Sequence, residues 1–111
     1  MKIIAFFPEE NLHFPFHVAN HPGLVLITLD PKAVFDPLLE DVRSYGWIHG
    51  AIGRVIVDLS RIMIVNSVCC SWIVNLQHAA EPATISIAGA NARIIATLRL
   101  LGLDSVVKID R

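Results

Sequence analysis

Apolar residues change their spacing along this chain, and the changes mark its elements. Val55, Ile56 and Val57 form a run that is apolar on both faces and ends in Asp58-Leu59-Ser60. Such a run predicts a strand over Arg54–Leu59 in the middle of a parallel sheet. A second apolar run, Ile62–Val65, leads to Asn66 and Ser67, two cap-type residues that stand before a segment with helical spacing. Their side-chain oxygens can accept from the free amides of a first turn, so the pattern predicts a helix over Ser67–Ala80, stopped by Glu81-Pro82. On that helix Ser67, Ser71, Asn75 and His78 form a narrow polar stripe flanked by Val68 and Trp72, while Cys69, Ile73, Leu76 and Ala80 make the face turned to the sheet. Ser67 therefore lies at a helix start near the carboxyl end of a buried strand, where open α/β sheets place function.

Upstream, residues 12–19 alternate, with Leu12, Phe14, Phe16 and Val18 on one side and His13, Pro15, His17 and Ala19 on the other. Period two predicts a half-buried strand, and Pro15, which cannot donate a ladder bond, puts it at a sheet edge. Asn20-His21-Pro22-Gly23 reads as a turn and Leu24–Leu29 as the second strand of a hairpin. Residues 1–11 read as a further strand or an arm. Asp36-Pro37 predicts a helix start, with Leu38, Leu39, Val42 and Tyr45 inward, Glu40, Asp41, Arg43 and Ser44 outward, and Gly46 or Gly50 at its end. Downstream come a strand over Thr84–Ala88 and a helix opened by Gly89-Ala90-Asn91, with Ile94, Ile95, Leu98 and Leu101 inward. Gly102 closes that helix, and Ser105–Ile109 is the last strand. Together these predict a single α/β domain over residues 1–111: a mixed, mostly parallel sheet with an N-terminal hairpin and helices packed on it.

Composition narrows the function. Of the 111 residues 54% are hydrophobic and 17% charged, below the roughly 25% charged residues of a typical soluble domain. Some apolar surface is expected to stay exposed, and that predicts a protein partner. The net charge of -1, with no run of Lys or Arg, excludes binding to nucleic acid through phosphate neutralisation. No apolar run approaches the ~20 residues of a membrane span, and the apolar start Met1–Phe7 is too short for a signal peptide, so the expected location is the cytoplasm. Cys69 and Cys70 are adjacent in an apolar segment and read as buried thiols, without metal-binding or CxxC spacing. His13, His17 and His21 recur every four residues, but Pro15 and Pro22 argue against the helix that would align them, so no metal site is expected. No Gly-rich phosphate loop and no nucleophile with a placed base appears, so neither a cofactor nor an enzyme is expected.

One residue carries a mechanistic case. A phosphate on Ser67 would meet the first free amides of a helix, add about two negative charges and repel an acidic partner. The plainer reading makes Ser67 an N-cap. Trp72, beside the stripe, is either a residue at the rim of the core or an anchor for a partner.

The order and spacing of Asp58-Leu59-Ser60, Ile64-Val65 and Asn66-Ser67 resemble the core motif of the STAS family, the anti-sigma factor antagonist domains. Ile85-Ser86-Ile87-Ala88-Gly89 and Leu100-Leu101-Gly102-Leu103 extend the resemblance, which runs from about Leu24 to Ile109. It implies a non-enzymatic regulatory module of bacterial transcription signalling. Such a module binds an anti-sigma factor that doubles as a serine kinase, or a scaffold protein, and phosphorylation of Ser67 switches it. Asn66, Val68, Ser71, Trp72 and Asn75 would form the partner face around Ser67. The resemblance also leaves open a structural or accessory subunit of a transporter or stressosome-type assembly that no longer uses phosphorylation, and it leaves a homo-oligomer open. The sequence departs from the family pattern in two places: Asn66 stands where the family has an acid, and Val68-Cys69-Cys70 where a small residue, often Gly, follows the serine.

Overall fold

The computed structural model describes residues 16–110, except His49 and the side chains of Val42 and Arg43. Five strands form one sheet in the order β1-β2-β3-β4-β5: β1 is His17–His21, β2 Leu24–Thr28, β3 Arg54–Asp58, β4 Thr84–Ala88 and β5 Lys108–Ile109. β1 pairs antiparallel with β2 and lies at the edge, and the other pairings are parallel. The hairpin is as expected. Its turn is shorter than expected, because Asn20 and His21 belong to β1 and only Pro22 and Gly23 connect the strands. Gly23 takes φ 73, which costs a residue without a Cβ nothing. Its carbonyl then accepts from the amides of Gly53 and Arg54 at 2.9 and 3.1 Å, which starts β3 beside β2. Leu12–Pro15 and the arm fall outside the described residues.

Each parallel connection advances one strand in the same direction, so right-handed crossovers carry them all over one sheet face. On that face Val25, Ile27, Val55, Val57, Ile85 and Ile87 are buried. Helix α1, Ser67–Ala80, meets them with Cys69, Ile73, Leu76 and Ala80, and helix α2, Ala92–Leu100, with Ile94 and Leu98. On the reverse face Leu24, Leu26 and Ile56 are only half-buried, so β3 is apolar on both sides but fully covered on one.

Three expectations need correction. The helix expected from Asp36 is instead two 3-10 turns, Pro37–Glu40 and Val42–Tyr45. Asp36 caps the first as expected, accepting from the Leu38 amide at 2.9 Å, but Asp41 is extended at φ -85, ψ 140 and ends it. The second turn points Ser44 inward, where its hydroxyl donates to the Leu39 carbonyl (3.5 Å) and its own carbonyl accepts from the Trp47 indole (2.8 Å). Leu101, expected inward, is 58% exposed, because it lies at the end of α2 where the chain turns through Gly102 at φ 77. β5 holds only Lys108 and Ile109, because residues 103–105 are drawn into a 3-10 turn.

Candidate functional site

The carboxyl ends of β2, β3 and β4 converge on the start of α1. β3 ends at Asp58, whose Oδ1 accepts from the Ser60 amide at 2.9 Å and turns the chain out of the sheet. Gly89, at φ 73, comes so close that a Cβ there would stand 2.9 Å from Asp58 Oδ1 and from Ser60 Cβ. Two asparagines then hold the loop between β3 and α1. Asn91 donates from Nδ2 to the Met63 carbonyl (3.0 Å), and Asn66 donates from Nδ2 to the Val34 carbonyl (2.6 Å).

Asn66 is also the cap of α1: its Oδ1 accepts from the Cys69 amide at 2.8 Å, and its carbonyl accepts from the Cys70 amide at 3.1 Å. Ser67 is therefore the first helical residue and not the cap, which corrects the plainer reading of it. The departure from an acid at 66 has a physical basis here, since a carboxylate can accept from Cys69 but has no hydrogen to give to Val34. Ser67 is exposed, and among the described residues nothing accepts from the amides of Ser67 and Val68 at the positive end of the helix.

The polar stripe is as expected, with Ser67, Ser71, Asn75 and His78 all exposed and Val68 half-buried beside them. Trp72 is not a rim residue. It is 1% exposed, with Phe16 tilted against it (centroids 5.2 Å) and Tyr45 stacked on it (6.5 Å, 11°). It belongs to the core and offers no surface anchor. Among the described residues its Nε1 has no hydrogen-bond partner. Burial raises the Tyr45 phenol above its ordinary value, against the opposing hydrogen bond from Asn75.

The structure adds residues that the sequence reading passed over. Phe35, Met63 and Ile64 are 72%, 75% and 47% exposed. Phe35 follows the residue that Asn66 binds, and Met63 and Ile64 sit on the loop that Asn66 and Asn91 hold, so all three lie on loops tied to the start of α1. For Met63 and Ile64 the signal in the sequence is the apolar character of loop residues between Asp-Leu-Ser and Asn-Ser, which reads equally well as core.

Two hollows flank the outer face of α1. One, of about 490 Å³, lies between α1 and the turns at 37–40 and 42–45, with Glu40 and Tyr45 across from Ser67. The other, of about 320 Å³, lies toward α2 and is lined by Val74, Leu101 and Leu103. Ser71 and Asn75 border both and form the ridge between them. Chemically the site is quiet. Burial, then the neighbouring Cys70, pushes the Cys69 thiol up to about 12, and burial raises Cys70 as well. Among the described residues no group of His, Cys, Asp and Glu is placed to hold a metal ion, and no helix is long and apolar enough to cross a membrane.

No protein-family model matches the chain, and no curated protein matches its sequence. Solved structures do match. The solution structure of TM1081 superposes with a TM-score of 0.70 at 18% identity, covering 99% of this chain and 87% of that one. RsbS of Moorella thermoacetica, in a variant form, gives 0.63 at 14% identity over 86% of this chain and 85% of its own. A crystal structure of TM1081 itself, described as a candidate anti-sigma factor antagonist from Thermotoga maritima, gives 0.58 at 20% identity over 93% of this chain and 92% of that one. The chain has a STAS-like fold, as the motif resemblance implied.

Proposed function

We propose that this STAS-like domain is a regulatory protein-binding module of the anti-sigma factor antagonist type. Its partner, an anti-sigma factor of the serine-kinase type or a scaffold protein, docks around the start of α1. One observation carries the reading: exposed Phe35, Met63 and Ile64 lie on the two loops tied to the start of α1, where Ser67 is itself exposed. Exposed apolar groups of this size gain from a partner that covers them. Asn66, Val68, Ser71 and Asn75 extend the surface along the helix, and Trp72 supports it from beneath through Tyr45. Phosphorylation of Ser67 is the switch. The phosphate would lie on the free amides of Ser67 and Val68 without disturbing the cap, which Asn66 supplies. It would also place a dianion beside apolar groups that the partner must dehydrate.

The test is binding to a partner recovered by cross-linking in the native cell, measured for variants whose melting temperature matches wild type. Met63→Asp, Phe35→Ser and Ser67→Asp should each weaken binding by about tenfold or more. Leu100→Asp, on an exposed apolar residue at the far end of α2, should bind like wild type. Wild-type affinity in all four would refute the docking surface.

A further inference from the structure

The larger hollow beside α1 has a chemistry of its own. Glu40 lines it from the 3-10 turn, exposed and without an ion-pair partner among the described residues. Ser67, Ser71 and Asn75 line it from the helix, and among the described residues Glu40 is the charged group that borders it. Tyr45, which also borders it, is held in place by stacking on the buried Trp72.

We infer that this hollow receives an arginine side chain of the docked partner, an inference that rests on the docking reading above. The lining matches the three faces of that side chain. Its guanidinium is planar, stacks on an aromatic ring and forks onto a carboxylate, so Tyr45 and Glu40 together suit it. Leu39 and Val68 offer apolar wall for its methylene stem. The Ser67 and Ser71 hydroxyls and the Asn75 carbonyl accept its remaining N–H groups. Other occupants fit less well. An apolar side chain would dehydrate Glu40 without pairing it, and an acidic one would be repelled. Lysine meets the charge but can neither stack flat on the ring nor fork onto the carboxylate. The hollow includes Ser67, so a phosphate there would draw the guanidinium off Glu40 and the Tyr45 ring and unseat the docked side chain.

A probe that needs no partner tests this directly. N-acetyl-arginine methylamide, titrated into the full chain labelled with ¹⁵N, should shift the amide signals of Glu40, Ser67, Ser71 and Asn75 and reach saturation. N-acetyl-citrulline methylamide, neutral and of the same shape, should bind about fivefold or more weakly, and Glu40→Gln should remove the difference between the two. Equal binding of the two probes, no saturable shift, or an undiminished preference in Glu40→Gln would overturn the inference. In the partner assay, Glu40→Lys should weaken binding about tenfold. If Met63→Asp abolishes binding while Glu40→Lys leaves it intact, docking stands and the arginine inference falls. If arginine binds the hollow as described while Met63→Asp leaves partner binding intact, the docking surface fails instead.

Discussion

At position 66 one amide side chain meets two needs: its oxygen caps α1, and its nitrogen ties the helix start to the Val34 carbonyl 32 residues earlier. Asn66→Ala should therefore cost about 2 kcal/mol, the sum of a lost cap and a lost tie. Asn66→Asp keeps the cap and gains a favourable charge at the helix start, but sets a carboxylate against a carbonyl oxygen. Its cost should be about 1 kcal/mol. Ser67→Ala should change stability by less than about 0.5 kcal/mol, since its side chain caps nothing. Urea denaturation of the three variants checks that order, and a Ser67→Ala loss as large as that of Asn66→Ala would move the cap to Ser67. The thiols make a pH prediction. Folded Cys69 stays protonated up to about 12, while its ordinary value is 9.0. Above the latter the unfolded chain gives up a proton that the folded chain keeps. Stability should thus be full below about pH 9 and fall above it by ~1.4 kcal/mol per unit for this thiol. Cys69→Ala should flatten that fall, and an unchanged slope would contradict the burial of the thiol.

The elements differ in how much of each could be read in advance. α1 was legible in its bounds and, Trp72 apart, in its faces, because a cap, a four-residue polar stripe and a Pro stop all agree. Which of Asn66 and Ser67 serves as the cap was not, since it depends on a contact with Val34 that local sequence does not contain. The stretch after Asp36 misled for a similar reason. Its apolar spacing suits a helix, yet Asp41 is extended and Ser44 turns inward to meet the Trp47 indole, a tertiary demand that overrides propensity. Asp58-Leu59-Ser60 was legible as a motif, and the structure supplies its reason. Asp58 turns the chain at Ser60, and Gly89 comes close enough to leave no room for a side chain. Gly89→Ala would force both a positive φ and a contact at 2.9 Å. It should cost at least about 2 kcal/mol by chemical denaturation. Wild-type stability would mean that the turns after β3 and β4 are not packed together.

For the whole molecule, a mixed, mostly parallel sheet opened by a hairpin was legible in the alternation and the buried runs, and the sheet has that form; the strand order was not stated by those patterns. The composition called for exposed apolar surface but could not place it. Trp72, the expected candidate for an anchor, went into the core between Phe16 and Tyr45, while Phe35 and Met63 came to the surface. Tryptophan reads as core or interface with equal ease, and a loop residue's exposure is decided by what ties the loop down. The central claim is that the start of α1, with the loops beside it, is where a partner docks. Amide exchange against deuterium, compared for the free chain and its complex with the cross-linked partner, tests it most directly. Protection should be confined to residues 33–40 and 61–75. Protection confined to β1, β5 and the reverse face of the sheet, with residues 61–75 unchanged, would contradict it.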